Sequence, residues 1–317
     1  MTEEDRLFEE ATDLIIRLQN DPTSEVAQDM VRQWRARSAA HEDAWAEAAE
    51  IYGMAGSVLK RSRAAQKRRN RGGPSRRSVI LGFGAGAAAL AVGREALPWA
   101  ILQARADHLT GTAEIRRVPL PDGSEVTLGP DSAVALSFTD TQRRVELLAG
   151  MSYFDVAGGN RLPLEVIADS TSSLCNAGGF DVSMDDGVIS FGVDRGDIRV
   201  AMLESPVPFA ETMPAGHWLS IAAGTRSLER GVREASQIGA WREGRIVAER
   251  ETVAAVVTRI ARWLPGRVVL ADPAIGARRV NGVFDLSRPL TALEAVVHPF
   301  GGRVRQLSSF LTVVTRF

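Results

Sequence analysis

The side chains able to serve as nucleophile, general base or soft metal ligand are few: one cysteine, Cys175, and four histidines, His41, His108, His217 and His298. The histidines are dispersed, and none stands at a spacing that would place two imidazoles on one helical face around a metal. A single cysteine excludes both a disulfide framework and a four-thiolate zinc site. Cys175 and His217 would form a nucleophile and base only if the fold happened to join them, and a lone cysteine is more often a small buried hydrophobe. The reading is therefore of a chain with no catalytic residue, no cofactor and no metal.

What the sequence does concentrate is charge. The formal net charge of -1 conceals a segregation: from Ile51 to Arg77 there is no acidic residue and there are nine cations, Lys60, Arg61, Arg63, Lys67, Arg68, Arg69, Arg71, Arg76 and Arg77. Directly after them, Ser78 to Val92 carries no ionisable side chain. At a helical rise of about 1.5 Å per residue this run covers only about 22 Å, so a membrane span has to extend to Leu102, with Arg94 snorkelling and Trp99 at the interface. Cations on one flank against mixed charge on the other predict an N-terminus in the cytoplasm and a C-terminus across the membrane of a single-pass protein. A buried Gly/Ala-rich core helix is the alternative for a run of this length. Ser75-Arg-Arg-Ser78 also resembles a twin-arginine export signal, which makes Arg76 and Arg77 the residues to set topology. No aromatic residue interleaves the basic run, so direct nucleic-acid binding is not expected, and membrane lipid is the partner.

The elements that flank this centre differ in period. Length of 317 residues predicts two or three domains, and 45% hydrophobic with 24% charged residues excludes a wholly disordered or polytopic membrane chain. Residues 1–59 read as three amphipathic helices, with Leu7, Ala11, Leu14, Ile15 and Leu18 on one face, Ala27, Met30, Val31 and Trp34 on the next, and Trp45 within the third. So short an all-α domain buries too little apolar surface to be very stable alone, which invites completion by a partner. Residues 60–77 form a basic linker and 78–102 the transmembrane helix. From Thr112 the pattern alternates, and Asp122-Gly123 between two alternating runs marks a hairpin, so residues 110–205 are expected to be all-β. A connector, 206–240, leads to residues 241–317, where the order β-α-β-β-α-β-β predicts a small α+β domain.

Several spaced blocks carry a family resemblance. Leu14-Ile-Ile-Arg-Leu-Gln19, Trp34 and His41-Glu-Asp-Ala-Trp45 resemble the N-terminal anti-sigma domain of FecR-type regulators. Val118-Pro-Leu-Pro-Asp-Gly-Ser-Glu-Val-Thr-Leu128, Arg144-Val-Glu-Leu-Leu-Ala-Gly150 and Tyr153-Phe-Asp-Val156 are similar to the periplasmic FecR domain. Trp241-Arg-Glu-Gly-Arg-Ile-Val247, Arg262-Trp263 and Val280-Asn-Gly-Val-Phe284 resemble the secretin/TonB short domain that ends such chains. The resemblance implies a relay: an extracytoplasmic-function sigma factor held in the cytoplasm through Leu14, Ile15, Leu18, Trp34 and Trp45, and the signalling domain of a TonB-dependent outer-membrane receptor met by Trp241, Ile246, Val247, Trp263, Val283 and Phe284. It also implies an intramembrane protease as partner and iron-siderophore uptake genes as output. For each tryptophan, ordinary core packing competes with the interface role. In some relatives a Gly-Thr bond cleaves itself; here Gly178-Gly179 offers no hydroxyl for that attack. A membrane-tethered periplasmic enzyme and an envelope scaffold without a sigma partner are the competing classes.

Overall fold

In a computed structural model of the chain, the residues described are 6–7, 10–11, 14–15, 18, 25–46, 48–49, 102–203, 209–308 and 310–316. They fall into two compact units: residues 1–96 with 269–272 and 305–315, and residues 97–268 with 273–304 and 316–317.

The second unit is built mainly on a β-domain. Its strands are β1 (His108–Leu109), β2 (Arg116–Pro119), β3 (Glu125–Leu128), β4 (Ala133–Thr139), β5 (Gln142–Val156), β6 (Leu164–Ala168), β7 (Thr171–Cys175), β8 (Gly178–Asp185), β9 (Val188–Met202), β10 (Ala210–Pro214), β11 (His217–Ala222) and β12 (Leu228–Val232). One layer runs β1-β4-β5-β6-β7-β9-β10 and the other β2-β3-β5-β8-β9-β11-β12, so β5 and β9 belong to both. All pairings are antiparallel except β5 with β6. Alternate residues from both layers, among them Val126, Leu128, Val145, Leu147, Phe154, Phe180, Val182, Phe191 and Val200, meet in one apolar core, where Phe154 and Phe180 stack at 5.1 Å.

Two glycines let β5 and β9 change layer. Gly150 sits at φ +90°, and a Cβ there would lie 2.2 Å from Ser132 Oγ, which instead accepts from Met151 N at 2.9 Å and donates to its carbonyl at 3.0 Å. Gly196 sits at φ +75° against the Ala177 carbonyl. Both positions need a backbone that L side chains rarely adopt, with no room for a β-carbon. From alternation alone, 144–148, 153–156, 188–193 and 198–202 read as four short strands, where the structure has two long ones.

The rest of the second unit leans on the β-domain's outer face. Residues 235–243 form two 3₁₀ turns, followed by β13 (Arg245–Thr252) and α2 (Val253–Ala261), whose first turn is capped by the Thr252 hydroxyl accepting from Ala255 N at 3.2 Å. After β14 (Arg267–Leu270) come the short turn α3 (Pro273–Gly276), β15 (Arg279–Asp285) and α4 (Pro289–Val297), opened by Pro289 at its first position. Strands β13 and β15 pair with each other, while β14 pairs with β17 (Leu311–Arg316) and β17 with β16 (Gly302–Ser308).

In the first unit, α1 (Glu25–Arg35) brings Val31 and Trp34 into a cluster with Leu7, Ala11, Leu14, Ile15, Ala44 and Ala48, and the same cluster takes in Val269, Ala271 and Val313.

The expected architecture is corrected on three counts. Among the described residues no helix is long and apolar enough to cross a membrane; the expected span 78–102 lies outside the described residues except Leu102. The N-terminal helices are not a separate all-α domain, because their core includes residues of β14 and β17 and Ala271. The C-terminal elements are met in the expected order but do not form an independent α+β domain: α2 is fastened to β8 by buried ion pairs, while residues 269–272 and 305–315 group with the first unit. What the structure shows instead is a predominantly β fold.

Candidate functional site

On β8 the side chains alternate. Phe180 and Val182 join the apolar core, whereas Asp181, Ser183 and Asp185 are set on the opposite face. An alternating strand of this kind would normally show its polar face to water. Here that face is covered: Gly192, the cross-strand neighbour of Asp181, lies under Ile238, and Gly129 lies under Trp241.

The covering segment supplies the countercharges. Arg259 of α2 donates through Nε to Asp185 Oδ2 at 2.9 Å and pairs with Glu251 Oε2 of β13 at 2.9 Å. One turn on, Arg262 reaches Asp185 Oδ1 at 2.8 Å and the Met184 carbonyl at 2.8 Å. The side chains of Arg259 and Asp185 are 9% and 1% exposed, so this is a buried ionic seam and not a surface pair. The Trp241 indole N–H donates to Asp181 Oδ1 at 2.7 Å, and the Arg242 guanidinium lies 3.4 Å over the Tyr153 ring, whose hydroxyl donates to Asp194 at 2.6 Å.

The two aspartates differ sharply in electrostatics. Burial pushes the Asp181 carboxyl up to about 6, against the opposing pull of Trp241 and of Arg259. Burial works in the same direction on Asp185, but Arg259 and Arg262 outweigh it and hold that carboxyl below the usual carboxylate range. Burial also lowers Arg233. Between these groups lies a cavity of about 40 Å³ lined by Asp181, Ser183, Ser190, Ser220, Arg233 and Glu251 among others, where the Ser190 and Ser220 hydroxyls meet at 2.8 Å. A space of that size suits a water molecule and not an organic ligand.

A second, wider groove of about 590 Å³ opens beside the Asp122-Gly123 turn, with Phe138, Asp140, Arg161 and Leu162 on its walls. At its base Arg143 is ion-paired with Asp122, both nearly buried, and burial of Asp122 is outweighed by Arg143 so that its carboxyl stays low. Cys175 is buried in the β-domain core, and burial, then Asp197, pushes its thiol up to about 11, so it is not the thiolate that nucleophilic chemistry requires. Among the described residues no group of three or more His, Cys, Asp or Glu side chains could hold a metal ion.

Residues 106–199, from the start of the β-domain into the last third of β9, match the family model described as FecR protein. The chain carries a FecR domain. Residues 9–51 match a model described as a domain of unknown function, DUF4880. No curated protein matches the chain. Two crystal structures of a candidate anti-sigma factor from Parabacteroides distasonis ATCC 8503 are similar in fold, each with a TM-score of 0.57 and 22% identity over 66% of this chain and 98% of that one.

The sequence-derived residues are placed as follows. Leu14, Ile15 and Trp34 are buried, with the Trp34 indole donating to Glu10 at 2.8 Å and its ring edge-on to His41; Leu18 is partly buried, and Trp45 is partly covered with Arg35 5.5 Å over its ring. Arg76 and Arg77 lie outside the described residues. Ile246 pairs with Phe284 and Val247 with Val283 across β13 and β15; Ile246 and Phe284 are buried while Val283 is 60% exposed. Trp241 is buried over the FecR domain and Trp263 is partly exposed. Only Trp241 of this set belongs to the ionic seam. The seam's other members, Asp181, Asp185, Arg233, Glu251, Arg259 and Arg262, were not singled out as site residues by the sequence, Arg262 entering only within a family-like block. Their one local signal is Arg259 standing three residues after Val256, a cation on an apolar helical face.

Proposed function

We propose that the chain is a regulatory, non-enzymatic signalling protein that binds an extracytoplasmic-function sigma factor through its N-terminal helical segment. What carries this reading is the FecR match over 106–199 joined to a matched N-terminal region at 9–51 and a fold shared with a candidate anti-sigma factor. On α1, Val26 is 71% and Met30 42% exposed and they stand four residues apart on one face, while Leu14, Ile15 and Trp34 face inward. Their exposure supports Val26 and Met30 as the proposed sigma contact, with Trp34 holding the helix that presents them. The test is co-purification of the full chain with the extracytoplasmic-function sigma factors of its own cell: wild type retains one, and Val26→Glu with Met30→Glu releases it while helicity is kept. Retention by the double variant refutes the placement, and no retention by wild type refutes the reading.

The same reading extends to the input. The signalling domain of a TonB-dependent outer-membrane transducer would approach β15, where Val283 is exposed on a two-stranded sheet, and the regulated genes would be those of iron-siderophore uptake. Placement at the bacterial inner membrane, N-terminus cytoplasmic and C-terminus periplasmic, is supported by the nine cations between Ile51 and Arg77. That placement separates Leu14 and Trp34 from Val269, Ala271 and Val313, which share their cluster here. Alkaline phosphatase fused after residue 110 is active if the placement holds. A disulfide formed in cells between Leu14→Cys and Val313→Cys refutes it.

A further inference from the structure

The contacts proposed above, on Val26 and Met30 and on β15, do not use the ionic seam on β8, and its arrangement has a consequence of its own. We propose that Asp181 is a proton-operated latch between the FecR domain and the segment that covers β8, holding that segment more tightly when its carboxyl is protonated.

The geometry isolates Asp181 from the charges that serve its neighbour. Asp185 takes both Arg259, at 2.9 Å, and Arg262, at 2.8 Å; the Asp181 carboxyl accepts one hydrogen bond, from the neutral Trp241 indole at 2.7 Å. A protonated carboxyl keeps that bond, because its carbonyl oxygen still accepts from the indole. The other charged or titratable groups about Asp181 are engaged elsewhere. From α2, Arg259 is divided between Asp185 and Glu251; from the 3₁₀ turn, Arg242 stacks on Tyr153 and donates to the Gly239 carbonyl at 3.1 Å; from β5, the Tyr153 hydroxyl is bonded to Asp194; and Arg233 faces Glu249 at 3.6 Å. The cavity beside Asp181 holds space for about one water, which is little solvation for an ionised carboxylate. Ionised Asp181 is thus a half-buried anion whose one hydrogen bond comes from a neutral dipole, at the surface where the 3₁₀ turn and α2 rest on the FecR domain.

The sign follows from linkage. Burial raises Asp181 from 3.8 to about 6 in the folded protein. A carboxyl so raised contributes stability that grows as pH falls through the folded value and is complete below the unfolded one. Asp185 is shifted the other way, so it stays ionised over the same window and the seam survives acidification. With those two values the covering segment is held about tenfold more tightly at pH 5 than at pH 8.

The test is hydrogen exchange on the full chain from pH 5 to pH 8, corrected for the intrinsic pH dependence of amide exchange. Peptides covering 238–243 and 253–262 should gain about tenfold in protection toward pH 5, with the rise setting in near pH 6. Asp181→Asn should hold the high protection at every pH. Asp186→Asn is the control, since burial raises that neighbouring carboxyl too and it lies outside the seam. Protection in wild type that is flat with pH, or that falls toward pH 5, overturns the proposal without recourse to any variant. Loss of the pH dependence in Asp186→Asn but not in Asp181→Asn overturns it equally.

Discussion

Replacing Asp185 with alanine should be among the most damaging single changes in the second unit. The variant removes the carboxylate that Arg259 and Arg262 share and leaves two guanidinium groups, each 9% exposed, facing one another. Deleting one partner of a buried ion pair costs about 3–5 kcal/mol, because the remaining charge stays desolvated. Arg259 keeps Glu251 at 2.9 Å and Arg262 keeps the Met184 carbonyl at 2.8 Å, which sets the expectation at the lower end, about 3 kcal/mol. At about 2–4 °C per kcal/mol for a domain of this size, the melting temperature should drop by about 6–12 °C. The assay is urea and thermal unfolding of the purified chain followed by tryptophan fluorescence, with Glu211→Ala as reference. That residue meets the half-exposed Arg230 at 2.9 Å, and its loss should cost less than about 1 kcal/mol. A double-mutant cycle between Asp185→Ala and Arg262→Ala should show clear coupling. Stability of Asp185→Ala within about 1 kcal/mol of wild type, or strict additivity in the cycle, would refute the account of the seam.

Gly150→Ala should fail to give a folded FecR domain by circular dichroism, since the added carbon meets Ser132 at a positive φ, whereas Gly187→Ala, also at positive φ but in open space, should cost only about 1 kcal/mol. Gly179→Thr should not install self-cleavage: a Cβ there lies 2.1 Å from the Tyr153 hydroxyl, so gels of the incubated variant should show destabilised but uncut chain. Trp34→Ala should cost about 3–5 kcal/mol and abolish the helical signal of the N-terminal segment, read by thermal melting. Cys175 should label with a thiol reagent at pH 8 at least about 100-fold more slowly in native protein than in urea, from its raised pKa alone.

The hairpin at Asp122-Gly123 and the alternation of β3, β6 and β8 are legible because each depends on neighbours in sequence. β7 is not: Thr171, Ser172 and Ser173 are all buried, and their burial is set by β6 and β9 on either side. Asp181 and Asp185 read as the wet face of a strand, and only the 3₁₀ turn carrying Trp241 and the helix that begins at Val253 cover them. The bond that joins Arg259 to Asp185 spans 74 residues, and no local pattern encodes a partner at that distance. Trp34 shows the reverse difficulty: its type and helical position fit a contact surface and a core equally well, and the choice is made by Glu10 and Ile15.

The sharing of β5 and β9 between both layers bears on how the FecR domain can be destroyed. A sandwich of two self-contained sheets can lose one and keep remnants of the other, offering a protease a graded series of partly opened substrates. Here neither sheet can be dismantled without withdrawing half of a strand from its opposite, and the corners at Gly150 and Gly196 tie those halves together. Unfolding is then all-or-none, and so is turnover: a degrading enzyme meets either an intact domain or a fully released chain. For a molecule read as a regulator, that makes lifetime a digital quantity, with clearance governed by rare global opening and not by gradual erosion from the edges.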